Sequence, residues 1–280
     1  MKPIKGIIFA GCSFTWGQGL YYYSDLPTII EPPPNKYIDS QVTSAQKEVI
    51  KIFRYPRLVA NHYNTFELVY HHNGGTVSQA IKWWRACLSL GSSQDRIDGD
   101  NIPKYDPSEI SHLTFQLTQW SRDPIKFTHE GREYTTSYSN FMHDQYKDIF
   151  PIWLKNNNLT LDQFVDDAIK GVLKRLKDFL QDVESVGIKT TVFTWPTEYV
   201  DYIKQDPWLA KRFMHFIHED YHFQSIEELM RENDNLEIKY DYEHFDTPPQ
   251  DHHPSLECHR VIADNLIRFL DNEKESTDSR

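Results

Sequence analysis

The sequence predicts an α/β fold, a doubly wound, mostly parallel sheet of five strands flanked by helices. Two observations predict it. Short apolar runs of strand length recur along the chain, and helical stretches separate them, the alternation expected of a parallel sheet with crossover helices. At 280 residues the chain is also long enough to bury roughly three quarters of its unfolded surface around one core.

In chain order, the expected strands are Ile4 to Ala10, Glu67 to His71, His112 to Thr118, Lys189 to Trp195 and Leu236 to Tyr240. Helices are expected at Ser44 to Asn61, Val77 to Leu88, Leu161 to Val186, Pro207 to Glu219, Gln224 to Glu232 and Leu256 to Asp271. The third is the clearest. Phe164/Val165, Ala168/Ile169, Val172/Leu173, Leu176, Phe179/Leu180 and Val183 repeat every three to four positions, with Thr160 as N-cap and Gly187 as the stop before the next strand. In the last helix Ser255 is the expected cap, and His259, Ile262/Ala263, Leu266/Ile267 and Leu270 share one face. These elements predict a single domain over residues 1–273 with insertions at about 21–42, which holds Pro32-Pro33-Pro34, and about 121–158. Loops of that length inside a domain are functional or contain small elements of their own. Residues 274–280 are charged and without periodicity, and are expected to be a disordered tail.

A formal charge of −11 argues against nucleic-acid binding, which draws its affinity from Lys and Arg neutralising phosphates. No window approaches a membrane span. Three widely spaced cysteines, Cys12, Cys87 and Cys258, form no CxxC and fit a reducing compartment. The apolar start, Ile7 to Ala10, is far shorter than the roughly 7–15 residues of a signal h-region, so the expected location is cytoplasmic or otherwise outside classical secretion, with virion association compatible.

Chemistry concentrates in two short blocks. Gly11-Cys12-Ser13-Phe14-Thr15 directly follows the first strand and leads into Trp16-Gly17-Gln18-Gly19, so the Ser13 hydroxyl is expected at the C-terminal edge of the sheet, where open α/β sheets bind ligands. Asp251-His252-His253-Pro254 sits just before the last helix, with Pro254 restraining His253 to an extended backbone. A hydroxyl is a weak nucleophile that needs a base, and the base needs an orienting carboxylate, so serine, histidine and aspartate in this layout point to a Ser-His-Asp hydrolase. Trp16, Trp120 and Arg122 are the candidate substrate-binding side chains.

Together these blocks resemble the SGNH hydrolase superfamily, the GDSL esterases and lipases. Gly11 to Thr15 is similar to the family's first block, with Cys12 where the family name has Asp. His253-Pro254-Ser255 with Cys258, His259, Ile262 and Ala263 resembles its last, an HPS..CH..IA pattern. Between them, Tyr55-Pro56-Arg57-Leu58-Val59-Ala60, then Asn73-Gly74-Gly75-Thr76 and Ile81, are similar to the family's helix and glycine block. The resemblance implies a three-layer, flavodoxin-like α/β/α sandwich and a triad of Ser13, His253 and Asp251. It also implies an oxyanion hole from the backbone N–H groups of Ser13 and Gly75, with Gly74 second to Gly75, and no metal or other cofactor. Two features depart from the pattern. Gln116-Leu117-Thr118-Gln119-Trp120-Ser121-Arg122 stands where the family carries its oxyanion asparagine, leaving the Gln119 amide as the replacement, and Asp251 precedes His253 by two positions rather than three. Asp246 is the reserve acid and His252 the reserve base.

The implied activity is cleavage of a carboxylic ester on a small molecule or carbohydrate, with an alcohol as acceptor in place of water as a variant. Three rival readings stay open. One is an SGNH-like module impaired in catalysis and kept for carbohydrate binding or structure. Another is a metal site among His244, Asp246, Asp251, His252, His253 and His259. The third is Cys12 as the nucleophile.

Overall fold

The computed structural model of the protein describes residues 5–17, 20, 44–69, 75–90, 102–238 and 253–278. The insertion at 21–42 and residues His71, His72, Gly74, His244, Asp246, Asp251 and His252 lie outside the described residues, as does the side chain of Trp16.

Four parallel strands form the central sheet in the order β2-β1-β3-β6: β1 (Gly6–Ala10), β2 (Glu67–Val69), β3 (Ile110–Leu117) and β6 (Lys189–Thr194). The register pairs Ile8 with Leu68 on one side of β1 and Ala10 with Phe115 on the other, and Leu117 with Thr194 across β3 and β6. Every residue of β1 is buried, because a parallel strand covered on both faces has no solvent side and reads as a continuous apolar run. Its side chains alternate between two cores. Ile8 and Ala10 pack with α4 (Val77–Cys87) and α7 (Leu161–Ser185), while Ile7 and Phe9 pack with α3 (Tyr55–His62) and α11 (Leu256–Asp278). The sheet is thus the middle of three layers.

The helix starts and stops follow local chemistry. Thr76 with Gln79 opens α4, and Thr160 with Gln163 opens α7, each by a reciprocal capping box. At the far end of α7, Gly187 takes a φ of 87°, the left-handed conformation that ends the helix cheaply. Downstream of β1, the single turn α1 (Ser13–Trp16) is followed by α2 (Ser44–Phe53) and α3. The continuous helix expected from Ser44 to Asn61 is broken at Arg54, whose ψ is 146°. Pro56 is the reason: in a helix interior its ring would strike the carbonyl four residues back, so it is accommodated only in a new first turn.

Of the fifth strand expected at Leu236 to Tyr240, the described residues Leu236 to Ile238 form no strand. Asp234–Leu236 is a 3-10 turn, and Glu237 makes an isolated antiparallel bridge to Pro254. The outer side of β6 is bridged in parallel at Val192 and Phe213 instead, where Val192 N–H donates to Arg212 O and Met214 N–H to Val192 O.

The helix expected from Pro207 to Glu219 is also shorter. After α8 (Val200–Gln205), α9 (Pro207–Ala210) gives way to a hairpin of β7 (Phe216–His218) and β8 (Tyr221–Phe223). Glu219 and Asp220 both take positive φ, the two-residue turn that matches strand twist, and aromatic residues on either side favour the pleated form. Within the insertion at 121–158, a second hairpin, β4 (Pro124–His129) with β5 (Arg132–Ser137), turns at Glu130-Gly131, again with positive φ. It packs with α5 (Tyr138–His143) and α6 (Phe150–Asn156) around Phe127, Phe141, Phe150 and Phe164. The stretch is therefore a small ordered unit rather than a loop. Finally α10 (Ile226–Arg231) precedes the 3-10 turn, and α11 continues to Asp278, beyond the Asp271 at which its apolar periodicity ends.

Candidate active site

Ser13 opens α1 at the C-terminal edge of β1, in the middle of the sheet. Between strand and turn stand Gly11 and Cys12, the latter extended. A Cβ on Gly11 would collide with Thr15 Oγ1 and Gln116 Oε1, so only glycine lets the chain pass this close to β3. Gly17, with φ 88°, donates its N–H to Ser13 O at 2.9 Å and closes the turn. Beneath it lies a buried polar network. Tyr55 OH donates to Thr15 Oγ1 at 2.8 Å, Thr15 Oγ1 donates to Gln116 Oε1 at 2.7 Å, and Gln116 Nε2 donates to Cys12 Sγ at 3.5 Å. The Ser13 hydroxyl donates to Cys12 Sγ at 3.9 Å. Cys12 is buried in the core below the turn, as a small apolar residue with a weak acceptor.

His253 reaches the same edge from the other end of the chain. Its carbonyl accepts Ile238 N–H at 2.9 Å, Ser255 N–H donates to Leu236 O at 2.7 Å, and Ser255 Oγ donates to Asn235 O at 2.9 Å. Ser255 also caps α11 by accepting Cys258 N–H at 3.2 Å. Held this way, the His253 ring packs edge-on against Phe14, the residue after Ser13, with centroids 4.9 Å apart. Ser13 and His253 are each only 5% exposed.

A second imidazole lies deeper. His259 Nδ1 accepts Tyr55 N–H at 3.2 Å, and its ring stacks on Tyr55 at 5.8 Å. Burial, reinforced by nearby His253 and Arg54, pushes its pKa down to about 3, so it stays neutral and supports the turn rather than exchanging protons.

The neighbouring strands complete the edge. Gln119, half-buried, precedes the 3-10 turn Trp120–Arg122 at the end of β3. Trp120 is buried against Tyr138 of α5 at 5.5 Å. The Arg122 guanidinium lies 5.9 Å over the ring of Trp195, at the end of β6, and Trp195 packs edge-on against Phe14 at 4.7 Å. Phe14 thus stands between Trp195 and His253. Gly75 is buried just ahead of α4. Asp123 fixes the 3-10 turn to the start of that helix: its carboxylate, wholly buried, accepts Ser78 N–H and Oγ and pairs with Arg175 at 2.9 Å. Ser13, His253, Gln119 and Arg122 therefore gather at one sheet edge.

Sequence reasoning overlooked four participants. The third strand touches the nucleophile turn through the amide of Gln116. Trp195 was readable only as the end of a strand, although an aromatic at that edge is a signal. Thr15 and Tyr55 belong to matched motifs, but no pattern in the chain links them to each other. Among the described residues no group of three or more His, Cys, Asp or Glu converges as a metal-binding set, and no helix is long and apolar enough to cross a membrane.

No protein-family model and no curated protein matches the sequence. The chain is similar to a solved structure of a carbohydrate esterase whose active site is described as displaying divergent catalytic and non-catalytic binding functions. The TM-score is 0.43 and the identity 11%, over 97% of this chain and 69% of that one. At this distance the likeness assigns no chemistry.

Proposed function

We propose that the protein is a serine hydrolase of the SGNH type that cleaves a carboxylic ester, with a carbohydrate as the alcohol part. Ser13 is the nucleophile, His253 the base and Asp251 the orienting acid. One observation carries the reading: a serine on a tight turn after the central strand and a histidine from just before the last helix are both buried, and the histidine ring packs on Phe14, the residue that follows the serine. His253 takes the Ser13 proton as Oγ bonds to the ester carbonyl carbon, and the oxyanion is met by the N–H groups of Ser13 and Gly75, with the Gln119 amide as a third donor. His253 then protonates the departing alkoxide, and water, activated by the same base, releases the acid from Ser13. For this the Ser13 hydroxyl must leave Cys12 Sγ for the imidazole, which requires a χ1 rotation between staggered wells.

A fluorophosphonate probe tests this directly. Labelling at Ser13, together with esterase turnover that falls by roughly 10⁶ in Ser13→Ala, is the expected result. A second reading, a module kept for carbohydrate binding without catalysis, is favoured by the hydroxyl's hydrogen bond to Cys12 Sγ. It predicts no labelling and sugar binding that survives Ser13→Ala.

A further inference from the structure

Seven of the ten described arginines are ion-paired: Arg54 and Arg57 with Glu67, and Arg85, Arg175, Arg212, Arg231 and Arg260 each with a carboxylate of its own. Of the other three, Arg132 and Arg268 are exposed. Arg122 is thus the one partly buried arginine among the described residues that makes no ion pair. Asp123, the acid next to it in the chain, is taken up by Ser78 and Arg175.

The neighbour of Arg122 is Trp195, whose ring the guanidinium carbon overlies at 5.9 Å from the centroid, within cation–π reach. A cation attracted to a ring face spends no N–H donor on it, and the planar N–H fork of a guanidinium fits a carboxylate. That fork sits at the sheet edge shared with Ser13 and His253, joined to them through Trp195 and Phe14. The protein around it carries a formal charge of −11, so the general field repels anions and leaves this cation as a local anchor.

We propose that Arg122 is a specificity-determining residue and that the ligand of this site is anionic. It carries a carboxylate, either on the sugar, as in a uronic acid, or at the far end of the acyl group, as in a half-ester of a dicarboxylic acid. This rests on the ester-hydrolase reading for the position of the site, but its test does not require turnover.

Full-length Ser13→Ala protein is titrated with an O-acetylated galacturonic acid methyl glycoside, with the matching galactoside, and with methyl glycosides bearing a succinyl or a butyryl ester. One of the two carboxylate-bearing ligands is expected to bind about tenfold or more tightly than its neutral counterpart, the range of a charge-assisted hydrogen bond, and which one does so locates the carboxylate. Adding Arg122→Gln is expected to abolish that advantage, and Arg122→Lys, which keeps the charge but not the planar fork, to retain only part of it. No preference in either pair, or a preference that persists in Arg122→Gln, overturns the proposal. An anionic preference in a protein whose wild type neither labels at Ser13 nor turns over any of the four esters sinks the hydrolase reading and leaves this one standing.

Discussion

Acidification tests the support beneath the nucleophile turn. His259 is fully buried, its Nδ1 is occupied by the Tyr55 N–H, and its pKa is pushed down from the ordinary 6.5 to about 3. The folded form therefore refuses a proton that the unfolded chain accepts. The stability this contributes is complete above pH 6.5 and is lost as the pH falls from 6.5 towards 3, at up to about 1.4 kcal/mol per pH unit. Between about pH 7.5 and about pH 5 that amounts to roughly 2 kcal/mol from this one side chain. Urea unfolding of wild type and His259→Gln at several pH values in this interval measures it. The variant is less stable at the upper end, because it loses the stack on Tyr55, but its curve should fall less steeply, so the gap narrows by about 2 kcal/mol on acidification. Parallel curves would refute the reasoning, since every other titrating group is common to both proteins.

Other consequences follow from the same geometry. Gln116→Leu leaves the Thr15 hydroxyl without its acceptor in a fully buried position and should cost about 1–3 kcal/mol in denaturant unfolding, with a non-additive effect when combined with Thr15→Val. Gly11→Ala forces Thr15 and Gln116 apart and should cost about 1–3 kcal/mol, while also lowering fluorophosphonate labelling of Ser13. Asp123→Ala strands Arg175 and the Ser78 N–H. Since Arg175 is 43% exposed and can turn to water, the expected loss is about 1–3 kcal/mol, with faster proteolysis inside 121–158 as the local sign.

The layered architecture was legible because it is written in short-range patterns. β1 is apolar throughout since both its faces are covered, and α7 announces itself by period, cap and glycine stop. Tertiary context decided the remainder. Pro56 splits a helix that periodicity alone would continue, and Glu237 is taken into a bridge with Pro254 rather than into the sheet. The hairpin at 124–137 escaped notice because it alternates weakly and its polar face is solvated, while its partners, Phe141, Phe150 and Phe164, are spread over later helices. At the candidate site, Ser13, Gly75 and His253 stood in recognisable local blocks. The contacts of Gln116 with Thr15, of Trp195 with Phe14 and of Arg122 with Trp195 join different strands, and nothing in a linear chain marks such pairs.

The short antiparallel clasp between 236–238 and 253–255 has an evolutionary consequence. Two of its ties run between main-chain atoms, which are identical in nearly every residue, so side chains along it can be exchanged over generations without shifting the imidazole it carries. Apolar bulk at Leu236 and Ile238 is all the core asks of them. Proline is the exception: at Ile238 or Ser255 it would delete an N–H donor outright and let the clasp open, so those two positions should stay closed to it in any lineage that keeps the site.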